Sequence, residues 1–335
     1  MKKLLAAAGV LLALAWLRLN GTASQWVERA QRVPLPALHG APARAAAAPA
    51  EPLHARELER AALAVESEVV ALAEHGDALY AGTFDEGALR IDRGGGRRRL
   101  RIDSRVNDLA VDEAGTVYAA TNGGAWEVSA AGDPRRLAPG AFAAVALWRG
   151  RPVFASPGGL STIEGTGLWM RGPAQGVGAD RPTALADCGA VLCIGASDGL
   201  WLFDGVSATR HSAASGELPE EVVTAVARGE GGDTWAGTLS GGIARVSSVG
   251  APLQPPVPDG RAAPHALLIA GGAAIFGTPS GLVVVRGGRP GVVRGLAPVT
   301  ALAFSARGGI WVGLRGAAVR IEIPEPVQAL AEVRR

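Results

Sequence analysis

The stretch from Val223 to Ser247, VTAVARGEGGDTWAGTLSGGIARVS, decides the fold. It opens on an apolar run of two-residue period, passes a Gly-rich turn, and continues into Thr234-Trp235-Ala236-Gly237-Thr238. A small-residue turn then leads to a third run, Ile243 to Val246. Alternation at this period marks β-strands, and Gly, Ser and Asp at the joins mark tight turns. The same order returns from Val69 (VVALAEHGDALYAGTFDEGALRID), Val106 (VNDLAVDEAGTVYAATNGGAWEVS) and Val299 (VTALAFSARGGIWVGLRGAAVRIE). It returns in looser form from Phe142, Pro182 and Pro264.

Two columns run through the seven segments. A bulky position in the second strand holds Tyr80, Tyr118, Phe154, Cys193, Trp235, Ile275 and Trp311. Two residues on stand Gly82, Ala120, Ser156, Gly195, Gly237, Gly277 and Gly313, at intervals of 36 to 42 residues. A unit of about 40 residues with period-2 strands and no helical stripe is one four-stranded propeller blade. The sequence therefore predicts an all-β, seven-bladed β-propeller over residues 53–326. The bulky side chain wedges adjacent blades apart, and the small one lets backbones approach. Each fourth strand falls between segments, as in RRRLRID from Arg97 or GVVRG from Gly291. The last segment has no successor to supply one. Leu53 to Glu66 is the natural donor and is expected to pair with the seventh blade and close the ring, although ELERAAL within it also reads as a short helix.

Composition agrees with many short strands. Gly (47) and Pro (22) make up about a fifth of the 335 residues, well above ordinary usage. With 48% hydrophobic and 19% charged residues the chain can bury a sizeable core. A net charge of +2 gives no polyelectrolyte signal for nucleic acid, which is not expected as a partner.

Ahead of the repeats, Met1-Lys2-Lys3 and the 14-residue apolar run Leu4 to Leu17 read as an export signal, with Ala23 a candidate cleavage point. The run is short for a bilayer span, so the reading is a cleaved signal peptide (1–23) or an uncleaved anchor at 4–17. Either places the protein in the periplasm or outside the cell, with membrane contact only through this segment. Residues 24–52 are rich in Ala and Pro and read as a disordered tether. Pro324 and Pro326 end strand pairing, leaving 327–335 as a tail.

The Trp235-Ala236-Gly237-Thr238 run followed by Gly241-Gly242 resembles the two-component-regulator propeller repeat. The likeness covers about residues 69–323 and is clearest around Tyr80, Tyr118, Trp235 and Trp311. It implies a propeller with a sensing or binding habit, and it brings no catalytic residues. The kinase and DNA-binding modules that usually accompany that repeat are not in this sequence.

Catalytic motifs are sparse. Gly195-Ala196-Ser197-Asp198-Gly199 fits G-x-S-x-G, but it occupies an inter-strand turn, not the strand-to-helix elbow a nucleophile needs. No His lies in a metal-ligand spacing, and no cofactor motif is present. Arg97-Arg98-Arg99-Leu100-Arg101 reads as a charged outer edge that discourages pairing between molecules. Cys188 and Cys193 flank one turn, and read either as a hairpin-local disulfide or as a buried free thiol at the packing column.

One column near the start of the innermost strands is unusual. Val70, Asn107, Ala143, Thr183, Thr224, His265 and Thr300 share it, which places a polar ring at one mouth of the channel. These polar groups either satisfy local backbone or face a ligand. In the next column six repeats carry Ala, and Asp108 stands alone among them. A carboxylate at a methyl's position needs a partner or water. The loops of the same face carry Asp85, Asn122, Arg181, Asp198 and Arg315 as further candidates. The expectation is a non-enzymatic module of the cell envelope that binds a protein or small ligand. The alternative is a propeller lyase or hydrolase acting on a polysaccharide or lactone, with Asp108, His265 and Arg181 at a central site.

Overall fold

The computed structural model describes residues 51–323, apart from 64–66, 103, 130–132, 165–166, 173–175 and 247–260. The export segment, most of the tether and the C-terminal tail lie outside the described residues. No helix among the described residues is long and apolar enough to cross a membrane.

Seven sheets, antiparallel but for one added strand, are arranged as the blades of a β-propeller, and their innermost strands neighbour one another in chain order, the seventh returning to the first. Blade 1 runs through Val69–His75, Ala78–Thr83, Ala88–Asp92 and Arg97–Arg99. Blades 2 to 4 repeat that meander with innermost strands Val106–Val111, Ala144–Trp148 and Pro182–Asp187. Blade 5 has three described strands, Val223–Arg228, Thr234–Thr238 and Ile243–Val246.

Blade 6 departs from the expected four strands. Glu51–Leu53 pairs in parallel with Arg289–Val293 and makes a fifth. The expected boundary of the tether at residue 52 is thus too late, because Pro52 already sits in this register. Blade 7 takes its outermost strand from before the first repeat: Arg56–Ala62 pairs antiparallel with Ala317–Glu322. ELERAAL is therefore extended, not helical, through Ala62.

The packing columns explain why the ring holds. Tyr80, Tyr118, Cys193, Trp235, Ile275 and Trp311 are all at most 8% exposed. Tyr80 packs with Val106, Leu109 and Val117 of blade 2, and Trp311 with Val69 and Leu72 of blade 1. The Gly column makes the close approach. A Cβ on Gly82 would lie 2.5 Å from Val106 Cγ1, and one on Gly313 would lie 3.0 Å from Val69 Cγ1. The same contact thus seals the blade 1–2 seam and the closing seam.

Blade 3 corrects the sequence alignment by one residue. Ala144 pairs with Ala155, and Ala146 with Val153. The equivalent pairs in blade 1 are Ala71 with Gly82 and Ala73 with Tyr80. The wedge position of blade 3 is therefore Val153, and the small position Ala155, not Phe154 and Ser156. Because side chains alternate across a strand, the shift sends Phe154 to the other face. There it meets Tyr118 and Phe142 edge-on. Ser156 in turn joins the Thr column: its Oγ donates to Gly159 O, as Thr278 Oγ1 does to Gly281 O.

Candidate functional site at the channel mouth

A pocket of about 580 Å³ opens at one mouth of the channel. All seven members of the polar column, from Val70 to Thr300, line it. Phe84, Leu239 and Pro279 form an apolar rim, and Arg105, Arg261 and Glu68 bring charge to it. The Arg105 guanidinium lies 4.1 Å from the Phe84 ring centroid, so rim cation and rim aromatic are held together.

Most of the polar column holds blades together. Asn107 Nδ2 donates to Phe142 O at 2.7 Å and to Asn122 Oδ1 at 2.9 Å. Thr183 Oγ1 donates to Val223 O, Thr224 Oγ1 to Ala262 O, and Thr300 Oγ1 to Val69 O. Apart from the Asn107–Asn122 bond within blade 2, each runs from one blade to the backbone that begins the next. The hydroxyls and amide satisfy carbonyls that the strand ladder leaves open.

His265 breaks that pattern. The innermost strand of blade 6 begins only at Leu267, and Ala263 to Ala266 form a turn closed by Ala266 N–H to Ala263 O. His265 adopts φ of +58°, a conformation unfavourable for most side chains with a Cβ, and its N–H donates to Thr224 O in blade 5. That backbone turns the imidazole into the channel mouth. Its Nδ1 lies 3.7 Å from Asp108 Oδ2, a carboxylate of blade 2 on the far side of the channel.

Asp108 is 8% exposed and well held. Oδ1 accepts Leu109 N–H and Oδ2 accepts Val145 N–H, both at 2.9 Å. Burial raises its pKa above the usual carboxylate value, while the nearby His265 and the two amides pull it back in part. The two residues singled out in separate columns thus form one pair, with His265 in the pocket wall and Asp108 behind it.

The loop candidates do not converge on the pocket. Asp85 accepts from Ser67 Oγ, and Asp198 Oδ1 accepts from Trp201 Nε1 and Asp180 N–H. Arg181 and Arg315 are exposed and outside the pocket lining. The expected trio of Asp108, His265 and Arg181 is therefore a pair. The rim residues Phe84 and Leu239 escaped the sequence reading. Their signal is in the repeat: each follows the Thr of its blade's second strand, as Pro279 does. Cys188 and Cys193 are joined by a disulfide across the first hairpin of blade 4, with Cys193 wholly buried at the wedge position. No group of three or more metal-ligating side chains occurs among the described residues.

No family model matches the chain, and no curated protein matches it. Solved structures do match in fold. A streptogramin B lyase superposes with a TM-score of 0.65 at 13% identity, covering 79% of this chain and 97% of that one. A catalytically inactive histidine-to-alanine variant of virginiamycin B lyase from Staphylococcus aureus, with quinupristin, gives 0.66 at 13%, covering 81% and 99%. An extracellular domain ascribed to a hybrid two-component system of B. thetaiotaomicron gives 0.64 at 14%, covering 80% of this chain and 39% of that one. At these identities the likeness is one of fold: the chain is a seven-bladed β-propeller that shares its architecture with lyase propellers and with extracellular sensor domains.

Proposed function

We propose that the channel-mouth pocket binds a small ligand and exchanges a proton with it through His265, so that the protein acts as a lyase- or hydrolase-type propeller. The observation that carries this reading is His265 itself. All of the column lines the pocket, but Asn107, Thr183, Thr224 and Thr300 direct their polar groups into blade-to-blade bonds, whereas the His265 imidazole faces a buried carboxylate. With Nδ1 turned to Asp108, Nε2 is left for the ligand. At 3.7 Å the carboxylate acts through its charge and stabilises the imidazolium that forms when Nε2 takes a proton. Phe84, Leu239 and Pro279 suit an apolar ligand body, and Arg105 and Arg261 suit an acceptor that gains charge during reaction. The fold shared with streptogramin B lyase supports the class of reaction, not the substrate.

The second reading, a non-catalytic binding module of the envelope, is favoured by the fold shared with sensor domains. One experiment separates them. Purified protein is incubated with a panel of lactones and acidic polysaccharides, and products are followed by mass spectrometry. Proton transfer through His265 predicts turnover that is lost in His265→Ala and reduced at least tenfold in Asp108→Ala. Ligand binding without turnover, unchanged in both variants, supports the binding module and overturns the enzyme.

A further inference from the structure

A second pocket, of about 430 Å³, lies between blades 3 and 4, away from the channel mouth. Its origin is the register of blade 3. In blade 7 the wedge residue Trp311 pairs with Arg320, and in blade 5 Trp235 pairs with Arg245, so an aromatic and a long side chain fill the seam together. In blade 3 the same two positions hold Val153 and Thr162. Two small side chains stand where blades 1, 5 and 7 carry an aromatic and an arginine, and both line the cavity.

The lining has a definite chemistry. Its floor is apolar, with Leu160, Leu192 and Phe203 beside Val153. Its rim carries Arg149, Arg151 and Arg171, and no carboxylate lines it among the described residues. Arg149 is fixed: it stacks 4.2 Å from the Trp148 ring centroid and donates to Ala190 O and Asp204 O of blade 4. Arg151 is exposed at the start of its strand, at the solvent side of the cavity. Arginine is suited to carboxylate or sulfonate because its planar fork can donate two parallel hydrogen bonds.

We propose that this seam is a binding site for a small amphiphilic anion, an apolar ring or short chain bearing one acidic group. The apolar body takes the place of the missing wedge against Val153 and Phe203, and the acidic group meets Arg151 at the rim. The site is independent of the His265 pocket.

The test uses 8-anilinonaphthalene-1-sulfonate, an aromatic body with one sulfonate, titrated into the full chain and read by fluorescence. One saturable site is expected. Arg151→Glu, at an exposed position, should weaken binding at least tenfold. Val153→Phe should abolish binding while keeping a melting temperature at or above that of the unsubstituted protein, because it refills the seam. His265→Ala should leave the titration unchanged. Absence of saturable binding overturns the proposal, as does binding that survives Arg151→Glu or is lost in His265→Ala. If Val153→Phe melts early, the seam has no room for an apolar group, and the proposal falls on that ground as well.

Discussion

At the residue scale, one substitution away from a repeat carries more information than the repeat itself. Six blades place Ala where blade 2 has Asp108, so the fold does not need a carboxylate there. Burial raises the Asp108 pKa, so its contribution to stability is fully present below the ordinary carboxylate value and is lost as pH rises through the folded value. Asp108→Ala should remove this dependence. In urea titrations over a pH series, the variant should gain on the unsubstituted protein as pH rises. A flat difference would show that Asp108 is not strained by burial. Thr300 makes the opposite case. Its hydroxyl bonds Val69 O across the closing seam, and Thr300→Val should cost about 1 kcal/mol in the same measurement. Both residues stood out in the aligned columns. Their roles did not, because a column gives a level in the blade and not what lies across the channel or in the next blade. His265 and Asp108 are brought together by the ring, through a backbone turn at φ +58° that no residue pattern announces.

At the element scale, strand register and turns account for what could be foreseen. The alternation of Val69 to Ala73 and the Tyr80-Ala81-Gly82 run specify blade 1 almost residue by residue, since every side chain has a required face. In blade 3 side-chain size points to Phe154 as the wedge, whereas the strand register places Val153 there. The strand pairing, with Val153 opposite Ala146, shows which residue faces blade 4. The Cys188–Cys193 bridge closes a short hairpin loop, and loop-closure entropy for so few residues is about 2 kcal/mol. Reduction, or Cys188→Ser with Cys193→Ser, should lower stability by roughly that amount and leave the far-ultraviolet circular dichroism of the sheets unchanged. A Gly82→Val change should do more harm than the lost bridge, because Val106 Cγ1 already occupies the space.

Across the molecule, the ring is held shut by two segments far apart in sequence, one ahead of the first blade and one in the last. Arg56 reaches Glu322 across 266 residues, and Glu59 joins Arg307 and Arg320 in a network that also takes in Glu74 of blade 1. Removing residues 56–62 should leave six blades with intact sheets but open the seventh. Thermal unfolding of that variant should begin lower and lose its single transition, whereas the full chain should melt as one unit. If both melt alike, the outer strand is ornament and not a clasp.

The clasp also fixes an order of events. Arg56–Ala62 leaves the ribosome before any blade exists, yet its partner Ala317–Glu322 is made only after the six blades between them. A growing chain can stack blades 1 to 6 as a crescent, but it must hold Arg56–Ala62 unpaired until the strands of blade 7 have been made. A nascent chain stalled short of blade 7 is therefore a bare-edged arc, prone to borrow the missing strand from a neighbour, and termination ahead of Ala317 should yield swapped oligomers, not inactive monomers.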